Sequence, residues 1–362
     1  MEFLTLKPES FGLDISDLSL KIIKLKKRGD FLSLASFGET EIKPGIIEGG
    51  EIKNEESLAE VIKKAVAEVK GEKLKTKYVI ASLPEEKAFL EVIQMPPMKE
   101  EEMEKAVYFE AEKYIPLPTE KVYLDAQIVS PVYNHLDHLD VLIAALPKNT
   151  IDHYVSSFKK AGLTPLVLEI ESQAIARSLI KKGISTAPLL LVDLGATRTS
   201  FIVFSGYSLR FTSSIPISSQ KFTKIISEGL KISPEKAEAL KIKHGIGANG
   251  EGRKILKSLV PILTELVGQI KKYLDYYQAH SSHEHLPPDG KTVEKIILCG
   301  GGANLKNLAN FLSIELKLPV EPGNPWTNIL PKPLREVPEL PYEESLRYTT
   351  ALGLALKGII SE

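Results

Sequence analysis

Residues 11–18 read Phe-Gly-Leu-Asp-Ile-Ser-Asp-Leu, and residues 190–197 read Leu-Leu-Val-Asp-Leu-Gly-Ala-Thr. Each stretch is an apolar run that ends in an aspartate, Asp14 or Asp193, and continues through a short polar turn into a second apolar run. This pattern predicts a buried strand, a tight turn and another strand at both places. Because the two units share one register half a chain apart, we interpret them as an internal duplication.

The two turns have a chemistry that suits phosphate. An aspartate that ends a buried strand is costly unless its charge faces a cation or a hydrogen-bond donor. Tight turns expose successive backbone N–H groups, which bind anions. Two such turns facing each other could hold a nucleotide phosphate chain, with Asp14 and Asp193 coordinating Mg²⁺ directly or through water. For either unit alone, the alternative is an ordinary β-hairpin whose aspartate caps its turn.

The composition excludes several classes of protein. Of the 362 residues, 43% are hydrophobic and 26% charged, and the formal net charge of −1 favours neither nucleic acid nor anionic lipid as a partner. Cys299 is the single cysteine, which excludes a disulfide framework and fits a reducing compartment. The sequence shows no membrane-spanning apolar run and no signal-peptide pattern at its start. We therefore expect a cytoplasmic protein without direct membrane insertion.

The segments between the two units differ in their sequence patterns. A length of 362 residues also predicts more than one domain. The break at Met95-Pro96-Pro97-Met98 precedes a charged helix pattern and two strand patterns, which together predict a compact inserted α+β subdomain. The predicted organisation is a first half at 1–82, rejoined by about 151–187 and 343–362, an inserted subdomain at 83–150, and a second half at 188–342 with a helical subdomain at about 220–290.

Three further features suit a nucleotide. A predicted strand runs into a glycine turn and a helix; there, glycines let the backbone approach a base or ribose, and the helix N-terminus offers free amides. Glu238 and Lys241 would share one helix face and could reach ribose hydroxyls and adenine, or could form a solvated ion pair. Glu171, at the end of a strand predicted over 166–171, could orient a metal-bound water. The turn residues are Gly300, Gly301, Gly302 and Asn304.

The order of these features resembles that of the actin, heat-shock-chaperone and sugar-kinase superfamily. Its phosphate-1, connect-1, phosphate-2 and adenosine motifs match Asp14, Glu171, Asp193 and the glycine turn. Within it, nearly the whole sequence is similar to the PilM family of type IV pilus assembly proteins. The central run Phe-Glu-Ala-Glu-Lys-Tyr-Ile-Pro-Leu-Pro at 109–118 is the most specific match. The other similar stretches are 11–25, 95–98, 169–179, 191–204 and 320–326.

This resemblance implies an α/β, actin-like (ribonuclease H-like duplicated) fold with a small inserted α+β subdomain. It implies ATP with Mg²⁺ in the cleft and a cytoplasmic role in pilus assembly, peripheral to the inner membrane. The implied partner is the N-terminal cytoplasmic tail of a bitopic PilN-like inner-membrane protein, bound in a groove beside the inserted subdomain. Other pilus assembly proteins are further expected partners, and a homo-oligomer is an open option.

The family's functional residues map onto this sequence one by one. Lys21 matches the phosphate-contacting lysine seven positions after the first aspartate. Glu171 and Asp193 are the candidates for a role in hydrolysis. The second phosphate turn matches at Asp193, Gly195, Ala196 and Thr197, and the adenosine-side pair matches at Glu238 and Lys241.

The first turn departs from the family pattern. Ser16 replaces a glycine, and Asp17 replaces a small or hydroxyl residue. A carboxylate near the terminal phosphate would repel it unless Mg²⁺ or Lys21 lies between them. We therefore expect a site that binds ATP but hydrolyses it slowly at most.

Two other functions stay open at this stage. One is an actin-like filament-forming ATPase of the cytoskeletal or division type. The other is a small-molecule kinase of the same superfamily, which would need a general base beside an acceptor hydroxyl. The sequence offers no candidate for that base beyond Asp14 and Asp193, which are already assigned to the metal.

Overall fold

The computed structural model of the chain describes residues 8–130, 137–280, 292–331 and 333–360. Residues 1–7, 131–136, 281–291, 332 and 361–362, which include parts of the predicted first half, inserted subdomain and second half, lie outside the described residues. The described strands, in chain order, are β1 (Ser10–Ile15), β2 (Ser19–Arg28), β3 (Phe31–Glu41), β4 (Ile47–Glu48), β5 (Glu51–Ile52), β6 (Lys70–Gly71), β7 (Tyr78–Leu83), β8 (Phe89–Met95), β9 (Val122–Val129), β10 (Leu139–Pro147), β11 (Thr164–Ile170), β12 (Ser185–Leu194), β13 (Thr199–Gly206), β14 (Ser208–Ile215), β15 (Lys295–Cys299) and β16 (Val320–Pro322).

Helices connect these strands, and several begin at recognisable capping residues. The side chains of Asn54, Ser218 and Ser233 each accept a hydrogen bond from a backbone N–H in the first turn of their helix. The described α-helices are α1 (Glu55–Ala67), α2 (Glu100–Ala111), α3 (Lys148–Lys160), α4 (Glu171–Leu179), α5 (Ser219–Leu230), α6 (Pro234–His244), α7 (Gly250–His280), α8 (Leu308–Leu316), α9 (Tyr342–Ser345) and α10 (Thr349–Ile360). Short 3₁₀ helices lie at Glu85–Lys87, Thr119–Lys121, Lys181–Gly183, Gly301–Asn304 and Leu346–Tyr348.

Two sheets share one strand arrangement. The shared order is β3-β2-β1-β7-β11 in the first sheet and β14-β13-β12-β15-β16 in the second. The first sheet has β6 as a sixth strand, beside β3. In both, the strand that carries the aspartate pairs antiparallel with the next strand and parallel with a later one. Asp14 lies opposite Lys21, and Asp193 lies opposite Ser200. The aspartates therefore hold equivalent places in the two sheets, which supports the duplication inferred from the sequence.

A third, antiparallel sheet has the order β8-β10-β9 and lies within the predicted inserted segment. Apolar residues of α2, including Met103, Val107 and Ala111, form a separate small core with this sheet. A buried ion pair ties the sheet to the second half, because Arg210 of β14 donates a 2.9 Å hydrogen bond to Asp140 of β10. The domain boundaries themselves stay predictions.

The structure corrects several details of the predicted elements. The strand expected over 166–171 ends at Ile170, and Glu171 is the first residue of α4. The buried Glu85 carboxylate accepts a hydrogen bond from Ser172 N, so a distant residue helps to begin this helix. Strands β8 and β14 were not predicted, and the helix predicted after the glycine turn begins at Leu308, beyond a 3₁₀ helix at Gly301–Asn304.

Helix α10 packs closely against α4 and β1 because glycine lies at the points of contact. A Cβ atom on Gly353 would stand 1.9 Å from Ala174 O, and one on Gly12 would stand 2.4 Å from Ala351 O. Any side chain at these positions would force the elements apart. The glycines therefore set the distance between the last helix and the first half.

We expect Gly353→Ala to lower the free energy of unfolding by about 1–3 kcal/mol, since the added methyl group overlaps the backbone of α4. Urea unfolding followed by circular dichroism measures the change. Gly268→Ala is the matched control, because Gly268 is also helical but has no atom within 4 Å of its Cβ position. That control should be neutral or stabilising by up to about 1 kcal/mol. Equal effects of the two substitutions would contradict the packing argument.

Candidate nucleotide-binding site

A cavity of about 1000 Å³ lies between the two halves of the duplicated fold. This volume is at the upper end of the range for small-molecule and cofactor sites. All fifteen residues predicted from the sequence line the cavity: Asp14, Ser16, Asp17, Lys21, Glu171, Asp193, Gly195, Ala196, Thr197, Glu238, Lys241, Gly300, Gly301, Gly302 and Asn304.

The first turn holds Asp14 beside a cation and a hydroxyl. Ser82 of the parallel neighbour β7 donates a 3.1 Å hydrogen bond to Asp14 Oδ1, and Lys21 Nζ lies 3.9 Å from Asp14 Oδ2. Lys21 also donates a 2.8 Å hydrogen bond to Ser19 Oγ. Burial raises the pKa of Asp14, and the charge of Lys21 opposes that rise.

The second turn repeats this arrangement with different residues. Cys299 of the parallel neighbour β15 lies with Sγ 3.8 Å from Asp193 Oδ1, in the role that Ser82 has beside Asp14. Gly195 N donates to Arg198 O at 2.9 Å, which closes the turn. The carbonyls of Gly195 and Ala196 accept hydrogen bonds from the first amides of α5. The turn and that helix are therefore held as one unit.

Gly300 allows the glycine turn to reach Asp193. Its φ of +79° is unfavourable for other residues, and a Cβ atom there would lie 2.2 Å from Asp193 Oδ1. The sequence suggested that these glycines bring the backbone close to a base or ribose. At Gly300 the structure shows a different close approach, to the carboxylate of the second phosphate turn.

The cavity gathers carboxylates that repel one another. Burial raises the pKa of Glu171 well above its ordinary value, and the charges of Asp14 and Glu86 raise it further. Burial also raises the pKa of Asp193 to about 6, with Asp14 adding to the effect and Lys21 opposing it. Such a cluster favours the arrival of positive charge, either protons or a cation.

Glu238 and Lys241 of α6 belong to one hydrogen-bonded network, in which Lys241 is buried and Glu238 is partly exposed. Lys241 Nζ lies 2.7 Å from Glu238 Oε2 and donates to Ser219 Oγ at 2.8 Å and Thr223 Oγ1 at 2.7 Å. Thr223 in turn donates to Glu238. Lys241 is buried, so the pair is more than the solvated surface contact offered as the alternative. The network orients the Glu238 carboxylate at the cavity.

Asp17 and Asn304, two of the predicted site residues, also form hydrogen bonds with the backbone of other segments. Both carboxylate oxygens of Asp17 accept hydrogen bonds from backbone amides, Gly49 N at 3.1 Å and Gly50 N at 3.0 Å. These bonds join the first turn to the hairpin of β4 and β5. Asn304 donates a 2.9 Å hydrogen bond to Glu343 O.

The sequence did not identify eight charged residues of the cavity wall, and four of them form ion pairs. Arg347 lies 3.1 Å from Glu39, whose carboxylate is also 4.0 Å from Lys21. Arg198 lies 2.7 Å from Glu86. Each pair joins segments far apart in the chain, so local patterns carry no signal for it. Of these four paired residues, only Arg198 could have been identified from the sequence, because it belongs to the second turn.

The carboxylates of the cavity could bind Mg²⁺ only together with other ligands. Among the described residues, no group of three or more His, Cys, Asp or Glu side chains is placed to hold a metal ion. Asp14 and Asp193 nevertheless approach one cavity from opposite halves with raised pKa values. Hard oxygen ligands of this kind, completed by phosphate oxygens and water, suit Mg²⁺.

Comparison with known proteins identifies the family. The model of the family described as type IV pilus assembly protein PilM matches residues 12–359. The chain belongs to the PilM family. A chain of a solved structure described as the PilM-PilN type IV pilus biogenesis complex is 27% identical, with a TM-score of 0.79, over 98% of this chain and 99% of that one. The resemblance to the PilM family inferred from sequence is thus confirmed.

More distant proteins place the PilM-type fold among actin-like proteins. MreB5 of Spiroplasma citri bound to AMPPNP has a TM-score of 0.55 at 13% identity, over 98% of this chain and 96% of its own. The cell division protein FtsA of Pseudomonas aeruginosa is 23% identical over 218 residues, which are 56% of this chain and 49% of FtsA. The match thus spans about half the length of that curated relative. The predicted actin-like α/β fold is confirmed.

We expect Asp193→Asn to stabilise the nucleotide-free protein above pH 6. With the folded pKa raised from 3.8 to about 6, folding favours the protonated carboxyl, so stability is lost as pH rises from about 4 through 6. Asparagine carries no charge and avoids that loss, for a gain of up to about 3 kcal/mol at pH 7 that shrinks towards pH 4. Urea unfolding across this pH range measures it.

The exposed Asp275 of α7 provides the matched control, since Asp275→Asn removes a charge that does not line the cavity. A gain at Asp193 that did not depend on pH would contradict the electrostatic explanation.

Proposed function

We propose that this protein is a cytoplasmic, ATP-binding component of the type IV pilus assembly machinery, acting as a scaffold or switch peripheral to the inner membrane. The observation that carries the proposal is the cavity between the two halves, lined by both acid-centred turns in a chain of the PilM family. None of the helices in the described ranges combines the length and the apolar character that a membrane span needs.

The proposed roles of the site residues follow from their places in the cavity. Asp14 and Asp193 would hold Mg²⁺ together with phosphate oxygens and water, and the ion would offset the charge of the surrounding carboxylates. Lys21 would face the phosphates from one side, and the backbone of Gly195, Ala196 and Thr197 from the other. The network around Lys241 would present Glu238 to the ribose, with the glycine turn beside the adenosine.

Each half supplies one turn, so neither half binds the phosphates well alone. We infer that ATP draws the halves together by a hinge motion. Slow hydrolysis at most is expected. The repulsion that the Asp17 carboxylate would exert on the terminal phosphate is moderated by its bonds to Gly49 N and Gly50 N but is not removed.

The proposed partner is the N-terminal cytoplasmic tail of a bitopic PilN-like inner-membrane protein. Similarity along 98% of this chain to a chain of the PilM-PilN complex supports this choice over a filament or a small-molecule kinase. Closure of the cleft would change the groove beside the inserted sheet, which is where an extended or helical peptide would dock.

We expect Asp193→Ala and Lys21→Ala to lower the affinity for Mg²⁺-ATP by at least about tenfold, because each removes a charged contact. Isothermal titration calorimetry measures the affinity. Lys254→Ala and Asp275→Ala, on the exposed surface of α7, are the matched controls and should bind like the wild type. Unchanged affinity in both cavity variants would remove the site assignment.

We expect a synthetic peptide of the PilN-like tail to bind, with an affinity that changes when a non-hydrolysable ATP analogue is added. Fluorescence anisotropy of a labelled peptide measures this, with a scrambled peptide as control. Peptide binding that does not depend on the nucleotide would support the role of a scaffold and exclude that of a switch. No binding in either state, together with long filaments in ATP sedimentation assays, would favour the cytoskeletal function instead.

A further inference from the structure

An ion pair crosses the cavity from the second half to the segment between β7 and β8. Arg198 ends the second turn, and its Nη1 lies 2.7 Å from Glu86 Oε1. Glu86 belongs to the 3₁₀ helix Glu85–Lys87, which lies between β7 and β8. Because β8 is the first strand of the inserted sheet, the pair connects the phosphate turn of one half to the base of that sheet.

The Arg198 side chain is incompletely satisfied in this contact. Its Nη1 is buried, and although it lies close to Glu86 it makes no hydrogen bond of acceptable geometry. The side chains of Arg198 and Glu86 are 27% and 13% exposed, so the pair is partly shielded from water. A guanidinium presents several N–H donors in a planar fork, and phosphate oxygens match that fork better than one carboxylate oxygen does.

The backbone beneath Arg198 is held in place. Its carbonyl accepts a hydrogen bond from Gly195 N, and the same turn is bonded to the first amides of α5. A change of partner by Arg198 is therefore a movement of the side chain and does not require the turn to rearrange.

Negative charge around the pair favours such an exchange. Glu86 and Asp14 both raise the pKa of Glu171, so Glu86 belongs to the repulsive cluster of the cavity. A nucleotide triphosphate would add further negative charge and compete with Glu86 for the guanidinium. On the other side, Glu85 is buried and bonded to Ser172 N, which anchors the start of this 3₁₀ helix to α4.

We propose that Arg198 senses the terminal phosphate of the nucleotide: Glu86 holds it when no triphosphate is bound, and it turns to the phosphate when ATP enters. This rests on the proposed function and deepens it. Since Glu85 remains anchored, the change is confined to Glu86 and the chain that leads into β8. The nucleotide state thereby reaches the inserted sheet, beside which the partner tail is proposed to dock.

Calorimetry with ADP and with a non-hydrolysable ATP analogue tests the first part. Arg198→Ala is expected to weaken binding of the analogue by at least about tenfold and of ADP by less than about threefold, because only the analogue carries the third phosphate. Arg198→Lys should restore part of the difference, and Glu86→Gln should strengthen binding of the analogue. Arg335→Ala and Glu251→Gln, which break exposed ion pairs away from the cavity, are the controls.

The outcomes separate this assignment from the proposed function. If Arg198→Ala weakened both nucleotides equally, or neither, Arg198 would be a structural clamp and the sensor assignment would be wrong while the nucleotide site stood. If the wild type bound neither nucleotide, both the proposed function and the sensor would be overturned.

Hydrogen exchange of the backbone amides in residues 86–95 tests the second part. In the wild type the analogue should change their exchange relative to ADP, since it removes the contact that holds Glu86. The nucleotide dependence should be absent in Arg198→Ala and retained in Arg335→Ala. An undiminished nucleotide effect in Arg198→Ala would contradict the coupling through this pair.

Discussion

Mutual repulsion among the carboxylates that face the cavity is the constraint around which this fold is built. Asp14, Glu171 and Asp193 face one cavity, and burial raises the pKa of all three. A protein selected for stability alone would replace such groups with apolar ones. The surroundings relieve each aspartate only in part, through Ser82 and Lys21 at the first and Cys299 at the second. A bound cation would relieve the remaining unfavourable energy.

The duplicated sheets explain how two distant aspartates come to share one cavity. Each lies at the end of a central strand whose second half is mostly buried, paired antiparallel on one side and parallel on the other. The chain leaves both strands through a tight turn, so both turns open at the same edge of their sheets. Gly353 lets α10 pack directly on α4, and Glu171 begins α4. The packing of α10 on α4 thus helps to position the third carboxylate of the cavity.

Local patterns predict the parts of the site that local structure creates. Strand, aspartate and turn are contiguous in sequence, so Asp14, Asp193 and the residues around them can be identified from the sequence alone. The sequence pattern puts Glu171 at a strand end, whereas its helix begins with help from Glu85, a contact that no local window contains. Pairs such as Arg347 with Glu39 and Arg198 with Glu86 depend on how the halves meet, and no periodicity encodes that.

The two turns differ in what holds them, and this difference bears on where a nucleotide would act. In the first turn, Asp17 is bonded to the amides of Gly49 and Gly50, and Ser16 is bonded to Ser19, so its polar groups already have partners within their own half. In the second turn, the backbone is equally well held, but Arg198 reaches across to the other half. The first turn is therefore held in place by contacts within its own half. The charge of a nucleotide bound between the two turns would act most strongly on the ion pair of Arg198 and Glu86, which spans the cavity. Glu86 lies in the segment that leads into the inserted sheet.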